Sequence, residues 1–274
     1  MTRRIFITIE YDGGPFVGWQ RQDNGMSVQQ VLEDAAQELT GGDCPVQGAG
    51  RTDSGVHATG QVAHLDVPDK FDAPRVMAAL NALTAAYPVT IRAAREVPDD
   101  AHARFSAIGR RYLYRILPRR APPALDRGRV WHHRAGLDVA AMREAAAHLV
   151  GRHDFSSFRA SQCQADSPLR TLDELRAEPA GEEVHIHAAA RSFLHHQVRN
   201  IVGTLALVGT GKWTARDVAA ALDARDRSAA GPTAPPEGLY LTEVTYPFQV
   251  SQPGSAGNLD ARLHEQEQSG IDHE

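Results

Sequence analysis

Residues 48 to 61 read Gly-Ala-Gly-Arg-Thr-Asp-Ser-Gly-Val-His-Ala-Thr-Gly-Gln. One carboxylate, Asp53, stands two residues after Arg51 and among glycines at 48, 50, 55 and 60. Glycine adopts backbone angles that other residues resist, so such a loop can turn sharply and hold Asp53 proud of the surface. A guanidinium keeps its charge at any biological pH and can hold a neighbouring carboxyl ionised, which is the role expected of Arg51. An ionised, positioned carboxylate can serve as a nucleophile or a base. The pattern also fits a local role, because loop aspartates often cap helices or close Asx turns and Arg51 could be a simple ion-pair partner. His57 is open to the same two readings, and Tyr112 by pattern alone is a strand tyrosine in a core. Arg199 falls between Val198 and Ile201 on an apolar stretch that begins near Phe193. An arginine that near a buried face pairs with an anion, here Asp53 or a phosphate, or else snorkels to the edge.

Other apparent motifs fail. Gly48-Ala49-Gly50 begins like a dinucleotide fingerprint, but Asp53 stands where the third glycine belongs. Gly209-Thr210-Gly211-Lys212 resembles part of a phosphate loop, yet Ala206 replaces its first glycine and Trp213 its Ser or Thr. The histidine groups 132/133, 185/187 and 195/196 lack carboxylate or cysteine companions at ligand spacing, so they are expected at the surface or in the core. Cys44 and Cys163 form no Cys-x-x-Cys pair, which argues against a disulfide frame or zinc knuckle and for a reducing cytoplasm. No apolar run approaches membrane-spanning length, and Glu10 interrupts the first apolar stretch too early for a good secretion signal.

The chain has 274 residues and a formal charge of −5. Five acids and one base fall within residues 249 to 274, leaving the rest close to neutral. Residues 104 to 134 hold nine arginines against the single acid Asp126, a local charge of +8. Interleaved with Tyr112, Tyr114 and Trp131, this run reads as a footprint for a polyanion, with rings that can stack on bases.

These residues need elements to hold them. Residues 5 to 11 read as a strand, Ser27 with Gln30 as a capping box for a helix over 28 to 39, and Gly41-Gly42 as its stop. Strands follow at 59–67 and 89–97 with a helix at 73–84 between them. A second set begins with a strand at 107–117 and a helix at 138–150 closed by Gly151. Strands at 169–178 and 183–191, helices at 194–209 and 214–224, and a strand at 239–247 complete it. Residues 227 to 238 read as a surface loop, and the acidic C-terminal stretch as a disordered tail. The predicted architecture is α+β: two similar halves, 1–105 with the Asp53 loop and 106–248, around one sheet.

Taken together, the residues resemble the tRNA pseudouridine synthase A family. Gly50-Arg51-Thr52-Asp53-Ser54-Gly55-Val56-His57-Ala58 looks like its signature, preceded by Tyr11-Asp12-Gly13 and Phe16 to Gln22. His102 to Ala107, Arg111-Tyr112-Leu113-Tyr114, Gly151 to Arg159, Phe193 to Gly203 and Glu237 to Leu241 continue the likeness in order, over about residues 3 to 247. The sequence departs at Ala101, at Thr84-Ala85-Ala86-Tyr87 and in its acidic tail. The resemblance implies that Asp53 is the catalytic aspartate and Tyr112 the ring beside the target base. It implies that Arg51 helps displace or hold the flipped nucleotide, that Arg199 pairs with the aspartate, and that Leu239 lines the pocket. It further implies a mainly antiparallel central sheet with the active-site cleft between the two subdomains, and a cytoplasmic homodimer acting on uridines 38 to 40 of the tRNA anticodon arm, with no cofactor, metal or membrane. On residues alone, a non-catalytic RNA-binding protein, a synthase for another RNA and a hydrolase using Asp53 remain alternatives.

Overall fold

The computed structural model describes residues 1–163 and 165–248, so the predicted tail lies outside the described residues. The first strand, β1 (Thr2–Tyr11), buries Ile5, Phe6, Ile7, Thr8 and Ile9 in succession. A strand buried on both faces belongs inside a covered sheet. Ile5, Ile7 and Ile9 share one face; on the other, Phe6 meets the rings of Tyr246 and Phe248 at 5.3 and 6.0 Å. Helix α1 (Val28–Thr40) starts where the Ser27 hydroxyl accepts the Gln30 N–H and stops at Gly41, left-handed with φ 79°. Such a cap stabilises a helix by about 1 kcal/mol. Then come β2 (Gln47–Gly48), β3 (His57–Pro68), α2 (Ala73–Leu83) and β4 (Val89–Val97).

The remaining elements are β5 (Gly109–Pro118), β6 (Trp131–His133), α3 (Val139–Ala147), β7 (Gly151–Asp154), β8 (Leu169–Ala180), β9 (Glu183–Ala190), α4 (Gln197–Gly209), α5 (Ala215–Ala224) and β10 (Leu239–Thr245). The ten strands form one sheet in the order β4-β1-β3-β10-β5-β9-β8-β7, with β2 on β3 and β6 on β5. Pairing is antiparallel except for β10 with β3 and β6 with β5. The α+β class and the mainly antiparallel sheet are as the sequence predicts. Buried side chains fall into two clusters, one around β1, β3, α1 and α2, the other around β5, β8, β9, α3 and α4. The last strand, β10, stitches them together, since it pairs with β3 on one side and β5 on the other. The fit along that seam is close: a Cβ at Gly60 would sit 2.0 Å from the Thr242 carbonyl oxygen.

Three boundaries differ from expectation. The helix expected over 138–150 ends at Ala147, because its last turn tightens through Leu149 N–H to Ala146 O and Val150 N–H to Ala147 O. Gly151 is therefore not its cap but the first residue of β7. The helix expected from 194 begins at Gln197, since His196 takes the left-handed conformation at φ 61°. Residues 227 to 238 are not a plain surface loop. They form two single 3-10 turns and a strap across α4, where Gly231 N–H donates to Thr204 Oγ1 and Ala234 N–H to Arg199 O. The strap lies so close that a Cβ at Gly203 would meet Pro232 O at 1.8 Å.

Candidate active site

Asp53 sits where the two clusters meet, four residues ahead of β3. Its loop is braced by the opening segment of the chain. Gly18 and Asp53 pair as an isolated antiparallel bridge, and Trp19 N–H donates to Thr52 O at 3.0 Å. The Tyr11 hydroxyl meets Thr52 Oγ1 at 2.7 Å, and Gln61 Nε2 donates to Gly50 O. Val56 N–H closes a turn onto Asp53 O, which Gly55 permits with φ 77°. Of the four glycines the sequence singled out, only Gly55 uses the left-handed region, while Gly48 and Gly60 serve close approach, to Trp19 and to the Thr242 carbonyl. At Gly18, φ is 118° and a Cβ would lie 2.9 Å from Thr52 O.

Three cationic or potentially cationic groups converge on the Asp53 carboxylate. Arg199 Nη1 donates to Oδ2 at 3.1 Å, His196 Nε2 lies 3.2 Å from Oδ2, and His195 Nε2 lies 3.3 Å from Oδ1. All three come from one short stretch of chain, residues 195–199, which runs into α4. The left-handed turn at His196 lets the two rings and the first turn of α4 point at the same oxygens. Arg199 is fixed from behind, its Nε donating to Ala234 O in the strap at 2.8 Å. Burial pushes the Asp53 carboxyl up, but His196, then His195 and Arg199, outweigh it and hold the group below the usual carboxylate range. The positive end of the α4 dipole acts in the same direction.

Arg51 does not play the part the loop suggested. It is exposed, and among the described residues it makes no ion pair with Asp53. The guanidinium on Asp53 belongs to Arg199, which sequence order places far away but β3, β10 and the strap bring near. Tyr112, on β5 opposite Leu241 and Ala188, packs on both clusters and meets Phe193 edge-on at 5.2 Å. Burial and the nearby Asp53 charge push its hydroxyl up to about 12, so the ring stays neutral. Leu239 pairs with Tyr114 and is buried in the second cluster at 6% exposure. The structure therefore gathers Asp53, Tyr112 and Arg199, buries Leu239 in the core beside them, and leaves Arg51 at the loop surface.

Sequence reasoning missed His195 and His196. It discarded them for want of a carboxylate at ligand spacing, and the carboxylate arrives from Asp53. The available signal was their closeness in sequence to Arg199, already a candidate partner for Asp53. Asp53, His195 and His196 place three potential metal-ligand atoms within 4.8 Å of one another. Arg199 already occupies Oδ2, so this set carries a cation of its own.

The arginine run is less free than its count. Arg111 pairs with Glu174 and Glu243, Arg115 with Glu183 and Asp126, Arg119 with Glu182, and Arg129 with Asp12. Arg110 spends its guanidinium on the carbonyls of Arg191, Ala49 and Arg104. Counting charges along the chain overlooked partners supplied by β8, β9, β10 and the loop after β1.

A family model described as tRNA pseudouridine synthase matches residues 7–106 and 145–247. A Rhodospirillum rubrum protein named tRNA pseudouridine synthase A is 60% identical over 93% of this chain and 91% of its own length. Proteins of the same name from Rhodospirillum centenum and Acidiphilium cryptum are 62% and 61% identical over 89% of this chain and 100% and 96% of theirs. With Asp53 and the matched segments around it inside these alignments, the chain belongs to the tRNA pseudouridine synthase family.

Proposed function

We propose that this protein isomerises uridine to pseudouridine at positions 38, 39 and 40 in the anticodon arm of tRNA, with Asp53 as the catalytic carboxylate. The observation that carries the reading is the Asp53 carboxylate held ionised by Arg199 and two histidines beside the neutral ring of Tyr112. The reaction breaks the N1–C1′ bond, turns the uracil and joins C5 to C1′. The C5 proton is lost and N1 gains one, so nothing is consumed and no redox group is required. The target nucleotide leaves its stack, at a cost of a few kcal/mol. Tyr112 then replaces part of the lost stacking. Asp53 either attacks C1′ or removes a ribose proton to give a glycal; both routes need it deprotonated. Arg199 and the histidines keep it so, and Arg51, free at the loop surface, is placed to hold or displace the flipped nucleotide. Leu239 closes the apolar side of the site. The proposal includes two subdomains, 1–105 and 106–248, and a homodimer working in the cytoplasm without cofactor.

Release of tritium from 5-tritiated uridine in bulk tRNA tests it. The unmutated chain is expected to release tritium, and Asp53→Asn to release none while still binding tRNA. Near wild-type release by Asp53→Asn overturns the assignment of Asp53. Transcripts lacking uridine at 38, 39 or 40 in turn test the position, and release that survives loss of all three overturns it.

A further inference from the structure

Most arginines of the 104–134 run have carboxylate or carbonyl partners, yet a second group of arginines has no carboxylate partner among the described residues. Arg152 of β7, Arg170 of β8 and Arg191 after β9 line one cavity of about 250 Å³, together with Leu169, Thr171, Asp173 and Ser192. None of the three forms an ion pair among the described residues. Arg170 Nη1 donates to the carbonyls of Ser167 and Leu169, but its Nε is buried and has no partner among the described residues. A partly buried guanidinium without a counter-ion is costly, and an external anion relieves that cost. Asp173 leaves the pocket with a net positive charge.

Position decides which anion. Arg191 and Ser192 lie in the pocket wall, Phe193 packs on Tyr112, and His195 and His196 touch Asp53. Four residues of chain reach at most about 14 Å, so the pocket lies within a few nucleotides of the reacting sugar. The two are also joined mechanically. Arg110 donates to Arg191 O at 2.6 Å and to Ala49 O, in the loop that carries Asp53, at 3.0 Å. Resting on the reading of this chain as a tRNA-modifying enzyme, we propose that Arg152, Arg170 and Arg191 bind a backbone phosphate of the RNA flanking the target uridine and set which nucleotide reaches Asp53. The arginines are positioning residues; they do not touch the reacting atoms.

The test uses the full chain and tRNA. Arg191→Gln and Arg170→Gln are each expected to raise Kd about 3- to 10-fold and to lower the slope of log Kd against log salt by about one. The loss falls on KM and not on kcat. Arg191 is exposed, so its variant keeps the test valid if Arg170→Gln folds poorly, and thermal melting checks both. Neutral methylphosphonate linkages placed one at a time around the target identify the phosphate. At one linkage the substitution weakens wild type but not Arg191→Gln. Wild-type Kd and salt slope in Arg191→Gln, or linkage and arginine losses that multiply at every site, overturn the proposal. So does inorganic phosphate that binds the pocket without weakening tRNA binding, which would assign it to a free anion. Tritium release by the unmutated chain is read in the same samples, so failure of the isomerase reading and failure of the pocket give different results.

Discussion

Two loop aspartates in this molecule have the same kinds of neighbour and opposite work. Asp12 faces His57 and Arg129; Asp53 faces His195, His196 and Arg199. Both carboxyls are pushed up by burial and then pulled below 3.8 by their partners, Asp12 through Gly14 N–H and Arg129, Asp53 through the histidines and Arg199. Their side-chain exposures hardly differ, 27% against 23%. What differs is the partner. His57 is locked in the interior: Gly13 N–H donates to Nδ1, so the ring proton sits on Nε2 and is given to Gly128 O, while the ring stacks on Tyr240 at 4.8 Å. Asp12 is thereby a latch between the loop after β1 and the loop before β6. His195 is 44% exposed, and beside Asp53 lies Tyr112 at the seam of the two clusters. The histidines carry the difference, 3% exposed at His57 against 44% and 29% at His195 and His196, while the arginines run the other way, 56% at Arg129 against 13% at Arg199; an aspartate with histidine and arginine is therefore not in itself a catalytic site.

Breaking the proposed catalytic member should give the largest effect. Asp53→Asn is expected to lower kcat/KM on the order of 10⁴-fold while the protein still folds, measured by tritium release and calorimetry. Asp12→Asn reverses the pattern, costing about 1–2 kcal/mol of stability in chemical unfolding and little in turnover. If Asp12→Asn abolished turnover at full stability, the contrast between the two would collapse.

Arg199→Gln sharpens the comparison on the active side. It should cost about 10- to 100-fold in kcat/KM through misplacement of Asp53. It should also move the acid limb of the pH–rate profile upward, since the shift that holds Asp53 below 3.8 is partly lost. A profile that stays put would remove Arg199 from that role. On the latch side, the depressed Asp12 carboxyl contributes stability that is complete above 3.8 and fades as pH falls through its lower folded value. The stability gap between wild type and Asp12→Asn should accordingly close at acid pH. The smallest effect is expected from Arg111→Gln, whose cation already answers Glu174 and Glu243. Its tRNA salt slope should match wild type.

The Asp53 loop was legible because its information is local. Glycine spacing, a lone carboxylate and the apolar period of α1 are short-range patterns, and backbone sterics act over the same few residues. The short strands β2, β6 and β7 were not, since each forms only because a neighbouring strand offers an edge. The strap at 227–238 looked like a loop for the same reason: its bonds go to α4, including the one that fixes Arg199.

The residue types therefore determined the class of fold and the family, and singled out Asp53 as the candidate carboxylate. Sequence already offered Arg199 as a partner for Asp53; tertiary structure set it there in place of Arg51, added the two histidines, gave carboxylates to the arginine run, and gathered an arginine pocket that no stretch of sequence displays. Charge acts through space and falls with distance, whereas sequence records only order along the chain.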